Sequence, residues 1–135
     1  MNEEVSELIL NQRIRNRIIE YLSLVSQPSQ LREYQENVSV SVLNEVIQQW
    51  QDWVDIDNTS VYEQFTRPPF TSEEQVAILE YNEIWDKVID NIPMEVNDIY
   101  QFIKTDDYKA LSETAKSAYQ IFSKRGFLDE EREDQ

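Results

Sequence analysis

Residues 71–93 read TSEEQVAILEYNEIWDKVIDNIP, and their spacing decides the fold. Thr71 and Glu74 stand where a capping box needs them: each side chain takes an exposed backbone N–H at the start of a helix. From there Ile78, Tyr81, Ile84, Trp85, Val88, Ile89 and Ile92 recur at three- and four-residue steps, which gathers them on one arc. Pro93 ends the run, because the residue before a proline is pushed out of helical backbone. Glu80, Glu83, Asp86 and Asp90 lie opposite that arc, where water belongs. One oily face and one acidic face predict an amphipathic helix packed on other helices.

The same period recurs on both sides of this stretch. Leu10, Ile14, Ile18, Tyr21 and Val25 align on one face of a helix from about residue 3 to 25. Val5, Leu8, Ile9, Ile19 and Leu22 make that helix apolar nearly all round, so it is either central or meets a partner. Ser26-Gln-Pro-Ser29 breaks it, and the polar stretch from Gln30 to Asn37 is indeterminate, with a short helix through Leu31 and Tyr34 as one reading. Val38-Ser-Val-Ser-Val42 alternates like a strand but runs into a helical arc of Leu43, Val46, Ile47, Trp50, Trp53 and Val54, with Ser39 or Ser41 as its cap. Residues 55–71 form the longest connection, with Pro68-Pro69-Phe70 as a rigid connector or docking loop. A short helix over residues 95–103 and a last one capped by Asp106 follow, the latter carrying Tyr108, Leu111, Ala115, Ala118 and Phe122 inward. Gly126, the only glycine of 135 residues, stands where a left-handed helix end is wanted, after Lys124 and Arg125 at the negative terminus. The expected fold is all-α: a single-domain antiparallel bundle of four to five helices over residues 1–128, with an acidic, frayed tail over 129–135.

Composition removes many mechanisms. The chain has no histidine and no cysteine, so triads, thiolate nucleophiles, zinc sites and disulfides lose their usual residues. A single glycine forbids phosphate-binding loops of the Gly-x-Gly-x-x-Gly or Walker type. No secretory leader is expected from the opening Met-Asn-Glu-Glu, and no apolar run is long enough to span a bilayer, so a cytoplasmic location is expected.

Charge is unevenly placed. Of the net −15, residues 33–107 hold −14, with seventeen acids against Arg67, Lys87 and Lys104. Such a field repels nucleic acid and anionic membrane and steers basic partners inward. Arg13, Arg15 and Arg17 are the one dense basic group, and as alternate residues on a helix they point apart. They read as ion-pair partners for the chain's own acidic middle or for a second copy. Trp50, Trp53 and Trp85 fall on apolar arcs and read as core.

Two carboxylate groupings could carry chemistry. Asp55-Ile-Asp57-Asn-Thr59 starts like a calcium loop but has Ser60 in place of the turn glycine and Thr66 in place of the bidentate glutamate. Glu80 with Glu83, and Glu95 with Asp98, pair carboxylates three residues apart, as oxygen ligands for Mg²⁺ require. This Glu-x-x-Glu … Glu-x-x-Asp arrangement, over residues 80–98 only, resembles that of the all-α, MazG-like nucleotide pyrophosphatases. The resemblance implies Mg²⁺ held by Glu80, Glu83, Glu95 and Asp98, and hydrolysis of a nucleotide. The eleven residues between the pairs are a tight gap for that group, and no basic or aromatic nucleotide-pocket motif is recognisable downstream beyond Lys104 and Lys109.

Three functions follow as expectations. The first is a non-catalytic protein-binding module, an immunity or antitoxin-type inhibitor or a nucleic-acid mimic, that masks a basic partner and needs no cofactor. The second is the Mg²⁺-dependent nucleotide enzyme. The third is a structural subunit that dimerises through its first helix.

Overall fold

The computed structural model describes residues 6–53, 65, 69–93 and 96–133, and six helices are found among them. These are α1 (Glu7–Val25), α2 (Pro28–Asn37), α3 (Val42–Trp53), α4 (Ser72–Asn91), α5 (Ile99–Ile103) and α6 (Asp106–Ser123). The all-α antiparallel bundle is therefore the observed architecture, with one helix more than expected.

The additional helix is α2. Its sequence is mostly polar, with Leu31 as its one buried side chain, so periodicity had little to register. Pro28 opens it at a position where a missing N–H does no harm. Gln35 then explains why Val38–Val42 is not a strand. Its side-chain amide donates to the Val40 carbonyl at 2.8 Å and its side-chain oxygen accepts the Val42 N–H at 2.8 Å. That clamp takes the backbone groups a sheet would have used, and Ser41 Oγ accepts the Asn44 N–H to start α3.

α4 begins with the full capping box: Thr71 N–H to Glu74 Oε1 and Glu74 N–H to Thr71 Oγ1, both 3.2 Å. Two other caps correct the sequence reading. Thr105, not Asp106, caps α6, accepting the Tyr108 N–H at 3.1 Å and leaving Asp106 and Asp107 in the first turn, where the helix dipole favours anions. α5 is shorter than expected because Asp98 is its N-cap, accepting the Gln101 N–H at 2.8 Å.

α4 packs along α6, α6 along α1, and α1 also meets α2 and α3; α5 closes one end against α2, α3 and α6. Pairings at both ends fix the directions. Lys124 and Arg125, just past α6, reach Glu73 and Glu74 at the start of α4. The Tyr108 hydroxyl at the start of α6 donates to the Val25 carbonyl at the end of α1. Both pairs are thus antiparallel. α1 is central, as its two apolar sides suggested: Ile18, Ile19, Tyr21, Leu22 and Val25 are all buried. Its far end differs from expectation, since Leu10 is exposed.

The aromatic core joins three helices. The Trp50 ring lies 4.6 Å from Tyr81 and 5.5 Å from Tyr21, and its indole N–H donates to Asn82 Oδ1 at 2.9 Å. The Tyr21 and Tyr81 hydroxyls meet at 2.7 Å, and Tyr21 also donates to the Val46 carbonyl. Burial pushes both phenols well above the ordinary tyrosine range, and pushes Tyr108 up to about 12. Trp85 is buried too; the side chain of Trp53 lies outside the described residues.

Candidate functional site

Two groups of charged residues on α4 have opposite surroundings. The first is a buried hub at its N-terminus. Arg15 of α1, with none of its side chain exposed, forks onto Glu74, with Nε to Oε1 at 3.1 Å and a terminal nitrogen to Oε2 at 2.8 Å. Two more guanidinium N–H groups donate to the carbonyls of Gly126 and Phe122, and the Phe122 ring lies 5.1 Å from the guanidinium carbon. Arg125 adds a second cation on Glu74 at 3.3 Å and donates to the Pro69 carbonyl at 2.7 Å. Such a pair is tolerable inside a protein only because nearly every polar atom is matched. The hub joins α1, α4 and the end of α6.

The hub also holds the C-terminal turn. Gly126 has φ +72°, the left-handed geometry expected of it, and its N–H donates to the Phe122 carbonyl at 3.0 Å. Beyond it, residues 128–132 are tied to α1. Asn16 exchanges two hydrogen bonds with the Leu128 backbone, at 2.8 and 2.9 Å, and Gln12 donates to the Asp129 and Arg132 carbonyls. Arg13 donates to the Glu130 carbonyl, while Arg17 pairs with the Glu130 and Glu20 carboxylates. The hydrogen bond from Asn16 and the charge of Arg17 hold the Glu130 carboxyl below its usual range. The three arginines are thus intramolecular partners, but of Glu20, Glu74 and the tail rather than of the acidic middle at large.

Sequence reasoning expected an ion-pair role for these arginines but did not single out Arg15 or Glu74 as a buried pair. A signal was present: Gln12, Arg15 and Asn16 lie on the same helical stripe as Ile19 and Leu22, a buried face.

The second group is the outer side of α4. Glu73, Glu80, Glu83, Asp86 and Asp90 are all exposed there. Lys124 meets Glu73 at 2.9 Å and Lys87 meets Glu83 at 3.4 Å. Among the described residues, Glu80, Asp86 and Asp90 have no cation within ion-pair distance. Beside this ridge a groove of about 630 Å³ runs between α4 and α6. Val76, Ala77, Ala118 and Ile121 form its apolar lining, and Glu80 and Lys124 stand among its polar edges.

Of the four residues singled out for Mg²⁺, Glu80 and Glu83 share the exposed side of α4, and Glu83 is engaged by Lys87. Asp98 spends a carboxylate oxygen on the cap of α5, and Glu95 lies outside the described residues. Among the described residues no group of three or more acidic side chains is placed to hold a metal ion. The calcium-like segment 55–60 and Thr66 also lie outside them. In the proline connector Pro69 and Phe70 are buried, with Phe70 edge-on to Phe65 at 4.9 Å, so these two residues serve packing rather than docking. No described helix is long and apolar enough to cross a membrane.

Compared with family models, curated proteins and solved structures, the chain matches none.

Proposed function

We propose that this chain is a non-catalytic interaction module that binds a basic protein surface through the outer side of α4, as an immunity or antitoxin-type inhibitor does. The observation that carries the reading is the contrast within α4 itself. Glu74 is matched on all sides, whereas Glu80, Asp86 and Asp90 face solvent without a cation among the described residues. Uncompensated carboxylates on a rigid helix raise the on-rate of a cationic partner and penalise an anionic one. The −14 of residues 33–107 extends the same field.

The Mg²⁺-dependent nucleotide reading has less support. Its first pair, Glu80 and Glu83, shares an open face, but Asp98 is committed to a cap. The homodimer reading gains nothing from α1, whose faces pack on α2, α3, α6 and the C-terminal segment.

A low-salt pull-down with mass spectrometry, followed by calorimetry on the purified partner, tests the proposal. The expected result is one basic protein bound stoichiometrically, with affinity falling as salt rises. Absence of any basic partner would overturn it. Saturable Mg²⁺ binding that disappears in Glu83→Ala would move nucleotide hydrolysis to the front.

A further inference from the structure

We propose that the groove between α4 and α6 is the slot into which the partner inserts a basic amphipathic helix; this rests on the reading that the partner is basic. Three features of the groove point to that occupant. Its lining is apolar and low, since Ala77 and Ala118 leave room between the two helices, and Val76, in the second turn of α4, is 52 % exposed. A valine so exposed is covered most readily by an apolar side chain arriving from outside. The slot extends from Ser72 to Glu80, about 12 Å at 1.5 Å per residue, which suits about two turns of a helix laid alongside.

Charge then selects the kind of helix and its orientation. The α6 wall is formed by the neutral Thr114, Ser117 and Gln120, while the α4 wall carries the acids. At one end Glu73 is already neutralised by Lys124 at 2.9 Å. At the other, Glu80 is followed along α4 by the exposed Glu83 and Asp86, about one and two turns further on. The docking helix therefore presents apolar residues at three- and four-residue spacing to Val76 and Ile121. Its lysines or arginines lie along the α4 edge and are densest at the Glu80 end. This is helix-in-groove recognition with an acidic margin.

The test uses a short synthetic Leu/Lys amphipathic helix and calorimetry at low salt, with circular dichroism to confirm that each variant is folded. Val76→Asp makes the protein more negative while removing the apolar contact. Purely electrostatic capture would hold or tighten, whereas docking in the groove predicts about tenfold weaker binding. Glu80→Lys is compared with Glu36→Lys, the same charge change on α2, which does not pack on α4 or α6. The expected result is weakening by Glu80→Lys and little change with Glu36→Lys. Equal effects of the two lysine variants, or undiminished binding by Val76→Asp, would overturn the groove and leave the basic partner standing. Failure of the wild type to bind the peptide would overturn the groove as well. The wider reading fails separately, when the pull-down returns no basic protein.

Discussion

Glu74 and Glu80 lie six residues apart on one helix and do opposite things. Glu74 is 1 % exposed, bound by two arginines and by the backbone N–H of Thr71. Glu80 stands on the open side with no cation near it among the described residues. The difference teaches where an acidic protein puts its charge. A carboxylate taken out of water is costly unless it is matched, and removing its partner costs about 3–5 kcal/mol. One left in water adds little to folding, so an unmatched row of them is available for a partner.

The strongest way to break this contrast is at the hub. Arg15→Ala leaves Glu74 buried with only the half-exposed Arg125, and frees the Gly126 and Phe122 carbonyls. A loss of about 3–5 kcal/mol in urea denaturation is expected. A loss comparable to that of an exposed ion pair would show that the hub is no more structural than the ridge.

Next come the buried phenols. Tyr21, Tyr81 and Tyr108 have raised folded values, so the stability they lend is fully present below the unfolded tyrosine value near 10. It is lost as pH climbs through the folded values, about 12 for Tyr108. Ultraviolet titration of the seven tyrosines should therefore show a normal set and a late set, the late set ionising together with loss of helical circular dichroism. A single smooth titration near 10 would contradict the burial.

Gly126→Ala sharpens the same comparison at smaller scale. Open space surrounds the position, so only the left-handed backbone resists the new methyl. About 1–2 kcal/mol should be lost, with the Leu128 amide exchanging faster as the turn that places it on Asn16 loosens.

The helical period was legible wherever a helix has one dry and one wet side, which is why α3, α4 and α6 could be placed from their apolar arcs. It failed where burial is polar. α2 buries only Leu31, and α1 buries Gln12, Arg15 and Asn16 beside its aliphatic residues, a stripe that hydropathy alone reads as surface. Helix ends were legible where the cap is local, as at Thr71. They slipped where two cap residues adjoin, as at Thr105 and Asp106. The tail could not be read at all, because Asn16 and Gln12 hold its backbone and its side chains give no pattern. The groove is a product of two helices a third of the chain apart, so only the fold brings Val76 and Ile121 together.

The most direct test of the central claim is the urea midpoint, at low salt, of a variant with Glu80→Gln, Glu83→Gln, Asp86→Asn and Asp90→Asn. If the ridge serves a partner and not the fold, the midpoint stays level or rises as like charges are removed, within about 0.5 kcal/mol for each position. A fall of more than about 2 kcal/mol would contradict the account, because those carboxylates would then be holding the bundle together.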